Sequence, residues 1–493
     1  MAVAGCITLA LMAAAALLFL TWKFPLRREA VIRSIAQKTQ SRVEIGSFET
    51  KWFPPRFTAR GVKISRPDGV VLTIGWAAVS ATYTGLLRSP RRLHDVEATD
   101  VHLVAPAQRL RDLKMSGGGS SLAVRYLHIT KAGLDLTSGA AGHPPLQFVI
   151  HSLAVRDLGA GSAARFRIAM HNPKPSGDIR SEGSFGPFDG THPLETPLSG
   201  SFTFEHADIA IPRAIAGTLD ASGTFHGPLR AISCTGTADV PAFQVYGSSN
   251  SVHLSSRFDV TVNARNGDVV LNRVLSHFDR TTFTASGSIA HEAGAPGKLA
   301  KINVDEQQGT VEDLLILFTR HKTPAMKGSI DFRAVFTIPP GPARFLSKLG
   351  VQGAFHIHRG YFTNPKSRFA VDRLTSSARG EPKRLKSEPT ELATADVDGK
   401  VSDPGAGIVH LSDIDFRLPG TSGEMDGTFG LYQKDLRFKG RFETEGKLAD
   451  TTYGFKSAML KVLSPLWRKR NGWKSVPFDI GGTASQPRFR LRM

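Results

Sequence analysis

The most regular pattern along the chain is an alternation of apolar and polar residues. In residues 329–338 the apolar side chains occupy every second position, and residues 353–362 repeat the pattern. A last run, 488–492, sets Phe489 and Leu491 between arginines. A period of two places successive side chains on opposite faces of a strand. The pattern therefore predicts a mainly β chain whose sheet has one apolar face and one solvated face.

A short motif, glycine followed by Ser or Thr and then by Phe or Ile, recurs at unequal spacing. Its copies begin at Gly183, Gly200, Gly223, Gly287, Gly328 and Gly427. Because glycine permits a sharp bend, we expect these copies to open new strands. The unequal spacing argues against propeller blades or a short-period solenoid, and it favours a meander of antiparallel strands.

Few helices are predicted. Residues 26–40 form a short basic helix, and residues 311–320 form another, with Thr310 as its N-cap. A third helix is expected over residues 365–378. The segment 448–470 is basic and amphipathic, so it either lies on an anionic membrane or caps an end of the sheet. The residues expected at a membrane surface are Lys456, Lys461, Trp467, Arg468, Lys469 and Arg470.

The first residues predict a membrane anchor. Residues 2–22 are apolar apart from Thr8 and Thr21, and a helix of that length spans about 30 Å, the thickness of a bilayer's hydrocarbon core. We expect residues 1–23 to form a transmembrane helix. A cleaved signal peptide is the alternative, but no small-x-small cleavage site follows. The orientation stays open, since the basic residues follow the anchor whereas long domains translocate regardless of flanking charge.

The aromatic composition and the charge narrow the class of partner. The chain has 30 Phe but only 6 Tyr and 5 Trp, and Phe suits an oily lining better than a sugar-binding or base-stacking surface. The net charge of +19 favours nucleic acid or anionic lipid head groups. The basic residues are spread along the chain without a recognisable DNA-binding helix, so we expect no nucleic-acid partner.

The sequence lacks the usual patterns of catalytic and metal-binding sites. It contains no phosphate-binding loop, dinucleotide-binding glycine motif, zinc-protease motif, Cys-x-x-Cys pair or serine-hydrolase elbow. His356 and His358 share one strand face, and Asp413 and Asp415 share another, but a solvated face explains both pairs more simply. We therefore expect a non-enzymatic protein with no catalytic residues, no cofactor and no metal.

The predicted apolar face needs a cover that the few helices cannot supply. Several hundred Å² of bare apolar surface costs on the order of 10 kcal/mol. A second sheet, the curl of the sheet itself or a bound apolar ligand can provide the cover, and a bilayer anchor makes lipid the natural ligand. The residues expected to line a lipid groove are Phe202, Phe204, Ile330, Phe332, Phe336, Ile338, Phe355 and Ile357.

Short segments at the two ends of the chain follow a recognisable order. After the anchor come Val-Glu-Ile-Gly-Ser-Phe at 43–48, Trp-Phe-Pro-Pro-Arg-Phe at 52–57 and Gly-Val-Lys-Ile at 61–64. Residues 311–365 and 478–489 continue the likeness. This order resembles the AsmA family, which is related to the TamB and YhdP bridge-like lipid-transfer proteins. The middle of the chain resembles the family only in its general strand pattern and has no segment of this kind.

The resemblance implies a bacterial inner-membrane protein with a single membrane pass and most of its chain in the periplasm. The implied fold is a transmembrane helix followed by a long curled antiparallel β-groove with a few short helices. The implied regions are the anchor at 1–23, an AsmA-like N-terminal region at 24–110, the middle of the groove at 111–300 and an AsmA-like C-terminal region at 301–493.

The implied role is phospholipid transport to the outer membrane and homeostasis of that membrane. The implied partners are phospholipid, the inner membrane, and outer-membrane or envelope-bridging proteins. The alternative role is that of a structural factor for outer-membrane protein assembly, which would act through protein–protein contacts at sheet edges.

Overall fold

A computed structural model describes most of the chain. The described residues are 41–86, 91–106, 122–137, 144–159, 161–189, 192–212, 214–292, 297–319, 322–341, 343–363, 394–405, 407–431, 435–444, 469–470, 473–483 and 486–491, with single positions at 29, 32, 33, 36, 365, 368 and 433. The chain divides into two compact units. Unit 1 comprises Met1–Ile209, Thr218–Asp239 and Arg257–Val269, and unit 2 comprises Ala210–Gly217, Val240–Ser256 and Val270–Met493.

Unit 1 is built from long strands that pair with their neighbours in the sequence. Its complete strands are β1 (Arg42–Lys51), β2 (Arg56–Ser65), β3 (Val71–Ala81), β4 (Arg91–Pro106), β5 (Leu122–Thr137), β6 (Leu146–Leu158), β7 (Ala164–Pro173), β8 (Ser176–Phe185), β9 (Pro197–Asp208) and β11 (Thr218–Pro228). Strand β11 pairs with β9. Three strands have residues in both units: β12 (Ile232–Val245), β13 (Val252–Val262) and β14 (Val269–Phe278).

Unit 2 repeats this arrangement. Its strands are β10 (Ile215–Ala216), β15 (Thr281–His291), β16 (Lys298–Thr310), β17 (Met326–Ile338), β18 (Gly350–Phe362), β19 (Ala395–Pro404), β20 (Ile408–Leu418), β21 (Thr421–Gly430), β22 (Leu436–Thr444), β23 (Lys469–Arg470), β24 (Trp473–Thr483) and β25 (Gln486–Leu491). From β15 to β22 each strand pairs with the next in antiparallel register, and β22 then pairs with β24.

The prediction of a mainly β, mostly antiparallel chain is confirmed, with one exception in strand direction. Strands β4 and β5 are parallel, which requires a crossover of about a dozen residues or more. The segment 107–121 between them has that length. The described pairings form an open sheet. They do not show the curled groove that the sequence analysis expects.

Helices are short in the described residues. They are α1 (Tyr83–Leu86), α2 (Val311–Ile316), α3 (Phe345–Lys348) and a 3₁₀ turn at Pro193–Glu195. The prediction of a helix with Thr310 as its N-cap is confirmed, since the Thr310 side chain accepts a hydrogen bond from the Asp313 N–H. The helix ends earlier than predicted. None of the helices in the described ranges is long and apolar enough to cross a membrane, and the predicted anchor lies outside those ranges.

The apolar face of unit 1 is closed to solvent across β3 to β7. The largest side chains that are less than 2% exposed are Ile74, Leu93, Leu103, Leu127, Ile129, Leu134, Ile150 and Ile168. They belong to one buried cluster, against which Ile32 and Ala36 pack from the helical positions before β1. This part of the sheet therefore forms a core and offers no free apolar surface.

Most of the recurring glycines lie inside strands and not at their starts, so the prediction that they open strands is wrong for them; Gly328, the third residue of β17, is near a strand start. Gly183 lies near the end of β8, and Gly287 is in the middle of β15. A Cβ atom on Gly183 would lie 2.0 Å from the carbonyl oxygen of Ser199, and one on Gly287 would lie 2.1 Å from that of Lys301. Glycine is needed at these positions because the neighbouring backbone leaves no room for a side chain.

Candidate functional site

Unit 2 carries a continuous apolar surface, the apolar face, that runs across the strands from β16 to β24. Rows of directly paired residues build it, because paired residues in an antiparallel sheet point to the same side. One row contains Ile302, Phe336 and Val351, and a neighbouring row contains Phe332 and Phe355. Farther along the sheet the rows continue through Leu411, Ile414, Phe416, Met425, Phe429, Phe438, Phe442, Phe478 and Ile480.

Six of the eight predicted lining residues come together on this face. Ile330 pairs with Ile357, and Phe332 pairs with Phe355. Phe336 and Ile338 follow on the same side of β17. Except for Ile330, which is buried, these side chains are only half-buried. The strand alternation found in the sequence thus produces a partly exposed apolar patch on β17 and β18.

The other two predicted lining residues belong to unit 1. Phe202 and Phe204 lie on β9, half-buried, and both pack against the buried cluster of that unit. The Phe202 ring lies 6.4 Å from that of Phe225, measured between centroids. These two residues therefore edge a closed core, unlike the six in unit 2.

Phenyl rings on the apolar face lie over glycines of the next strand. A Cβ atom on Gly399 would lie 2.5 Å from the ring of Phe355, and one on Gly427 would lie 2.4 Å from the ring of Phe438. Rings that cover a glycine shield the backbone of the sheet. The result is a surface in which aromatic rings cover part of the backbone.

The opposite face of unit 2 is polar, and several of its charges are paired. Arg333 Nε lies 2.9 Å from Asp305 Oδ2, and Lys400 Nζ lies 2.8 Å from Asp413 Oδ2. Asp305, Arg333 and Lys400 line a concavity of about 560 Å³ on the polar face. Because both cations already have carboxylate partners, the concavity is poorly suited to hold a further anion.

A chain of hydrogen bonds also crosses this polar face. His356 bonds to Asp398, His356 Nε2 lies 3.0 Å from His358 Nδ1, and His358 Nε2 lies 3.1 Å from Asp331 Oδ2. The position of both histidines on the solvated face agrees with their sequence pattern. Across the described part of the chain, no group of three or more His, Cys, Asp or Glu side chains is arranged to hold a metal ion.

Two acidic residues lie on the apolar face: Asp403, which pairs with Val351 and accepts a hydrogen bond from the Gly405 N–H, and Glu306. Glu306 faces Phe283 on β15 and Phe332 on β17, and only 2% of its surface is exposed. Among the described residues its two carboxylate oxygens have no hydrogen-bond partner. A Cβ atom on Gly309 would lie 2.3 Å from Oε1 and 2.8 Å from Oε2, so the carboxyl group occupies the space that a side chain at Gly309 would need.

The surroundings of Glu306 favour its neutral form. Burial raises the pKa of Glu306 to about 7. The nearby N–H of Gly309 acts in the opposite direction, and Asp331 and Asp305 raise the pKa further. The sequence analysis did not single out Glu306, although the spacing of Ile302, Val304 and Glu306 already places this residue on the apolar side of β16.

The predicted membrane-surface residues fall mostly outside the described part of the chain. Lys456, Lys461, Trp467 and Arg468 lie outside it. Lys469 and Arg470 form β23, which pairs in antiparallel register with Lys474 and Trp473 of β24. The two predictions for this segment, a membrane contact or a cap on the sheet, both stay open.

The chain was compared with protein families, with curated proteins and with solved structures. Nothing matches. The likeness to the AsmA family therefore stays a resemblance carried by the segments quoted above, and the role that it implies is a proposal.

Proposed function

We propose that the apolar face of unit 2 binds the acyl chains of phospholipid. In this proposal the chain is a non-enzymatic, inner-membrane-anchored protein of the bacterial periplasm. It contributes to phospholipid transport towards the outer membrane and to homeostasis of that membrane. The observation that carries the proposal is the row-by-row continuity of apolar side chains, half-buried on β17 and β18, opposite a polar face whose cations Arg333 and Lys400 are paired.

The energetics of the apolar face favour an apolar occupant. Each further 100 Å² of apolar surface removed from water contributes about 2.5 kcal/mol. The side chains of Phe332, Phe336 and Phe355 all keep exposed area that an acyl chain can cover. A flexible hydrocarbon chain fits an aromatic surface because it needs no matching pocket and brings no polar group that must be desolvated.

Photo-crosslinking of the full chain in living bacterial cells tests the proposal. The photoreactive residue p-benzoylphenylalanine in place of Phe332 or Phe355 keeps an aromatic ring on the apolar face. After irradiation we expect a phospholipid adduct, identified by the mass of the labelled peptide. The matched control carries the same photoreactive residue in place of Val335, which lies on the polar face of the same strand.

The outcomes separate the two roles considered for this protein. Phospholipid adducts from the apolar face but not from Val335 support lipid binding. Adducts to protein alone would refute it and favour an assembly factor. Equal lipid adducts from both faces would show nonspecific contact and also refute it. As a second measurement, Phe332→Asp combined with Phe336→Asp should reduce co-purified phospholipid, whereas Val335→Asp should not.

A further inference from the structure

Glu306 is a buried acid on a strand position paired with Phe283 and Phe332. Its carboxyl group lies over Gly309, whose N–H is nearby, but neither of its oxygens makes a hydrogen bond of normal geometry among the described residues. An unpaired buried polar group costs about 1–3 kcal/mol, and an ionised one costs more. Such a group on a surface proposed to bind a ligand points to a hydrogen bond made with that ligand.

We propose that Glu306, in its neutral form, donates a hydrogen bond to the ester carbonyl oxygen of a phospholipid whose acyl chain lies on the apolar face. This inference rests on the proposed function and names the polar contact of the same site. An ester oxygen is an acceptor without a charge, which matches a neutral carboxyl donor. A fatty acid would bring a second carboxylate close to Glu306, Asp305 and Asp331, so the ester is the better match.

Binding at this site is then coupled to a proton. An ionised carboxylate cannot donate a hydrogen bond to an ester oxygen, so a bound ester favours the protonated form of Glu306. The lipid therefore binds the protonated protein and is released as the pH rises above the pKa of free Glu306, about 7.

Other titratable groups lie near Glu306, and the test must separate their pH effects from that of Glu306. Asp305 on β16 and Asp331 on β17 occupy positions on the polar face, where they pair with Arg333 and His358. On the other side, α2 carries two acids, Glu312 and Asp313, both within 4 Å of Arg280. A pH effect therefore counts for the proposal only if it depends on Glu306.

The test uses the full chain with p-benzoylphenylalanine in place of Phe355, which leaves the direct neighbours of Glu306 intact. The purified protein is incubated with vesicles of dioleoyl phosphatidylcholine, whose head group does not titrate near neutral pH, or of its ether-linked analogue, which lacks the carbonyl groups. At subsaturating lipid, we expect adduct formation with the ester lipid to fall about tenfold between pH 6 and pH 8. At pH 6 the ether lipid should give about fivefold less adduct than the ester lipid.

Three variants make the outcome decisive. Glu306→Gln keeps a hydrogen-bond donor without a charge, so its adduct yield should stay high and independent of pH. Glu306→Leu should also be independent of pH but should no longer distinguish ester from ether lipid. Glu424→Gln changes an exposed acid that pairs with Arg441, and it should keep the profile of the unmodified protein.

The failure of this inference can be told from the failure of the proposed function. If no lipid adduct forms at any pH in any variant, the apolar face does not bind phospholipid. If adducts form but their yield is independent of pH, or depends on pH equally in Glu306→Gln, lipid binding stands and the role of Glu306 is refuted. Equal yields with ester and ether lipid at pH 6 would likewise refute the carbonyl contact.

Discussion

Replacing Glu306 by Gln should change how the stability of unit 2 depends on pH. The pKa of Glu306 is raised from 4.5 to about 7 in the folded protein. Between these values the folded protein holds a proton that the unfolded chain has lost, so the free energy of unfolding falls as the pH rises. A difference of about 2.5 pH units corresponds to a loss on the order of 3 kcal/mol. The loss is complete above about pH 7 and absent below about pH 4.5.

Hydrogen exchange of peptides from β16 and β17 in the full chain measures this effect. Comparing Glu306→Gln with the unmodified protein at each pH removes the intrinsic pH dependence of exchange. We expect the Gln variant to gain protection relative to the unmodified protein as the pH rises from about 4.5 to 7, and the difference then to stay constant. Parallel profiles would refute the reasoning, and an opposite slope would reveal a cationic partner for the carboxylate.

Three further changes test the packing around this region. Gly309→Ala should displace the Glu306 carboxyl group towards water and lower its pKa, which would flatten the pH dependence of hydrogen exchange in β16; an unchanged profile would contradict the placement of that group. Gly427→Ala should lower the midpoint of urea unfolding, because a Cβ atom there would lie 2.5 Å from a backbone oxygen. Gly481→Ala should leave the midpoint unchanged, because the nearest atom to a Cβ there lies 3.9 Å away. Equal midpoints for the two variants would contradict this. Thr281→Val should lower the free energy of unfolding, measured in urea, by about 1–3 kcal/mol. The reason is that the buried Thr281 hydroxyl donates a hydrogen bond to a carboxylate of α2 and accepts one from the N–H of Thr310. An unchanged free energy would show that water replaces the hydroxyl.

The strand pattern of unit 2 was predictable because it depends on local alternation. Residues 329–338 alternate between positions that face an apolar surface and positions that face solvent, and β17 forms there with the expected faces. The helix after Thr310 was equally predictable, since an N-cap is a property of a few consecutive residues. Both features need no knowledge of which strands become neighbours.

Features that depend on distant neighbours were not predictable from the same patterns. The motif glycines were interpreted as bends, yet the carbonyl oxygen that excludes a side chain at Gly183 belongs to Ser199 on the next strand. The parallel pairing of β4 and β5 depends on the path of the segment between them. For the candidate site, sequence alternation located Phe332 and Phe355, but only the strand register shows that they lie side by side.

The rings that lie over Gly399 and Gly427 have a consequence for selectivity. A hydrocarbon tail that lies across these rings would be held by contact area, which does not measure the length or the unsaturation of the tail. A molecule held there by contact area alone can slide from one phenyl ring to the next without crossing a large barrier. Discrimination between lipids would then depend on the few hydrogen-bonding groups on the apolar face. A bound lipid would meet little resistance to movement along that face.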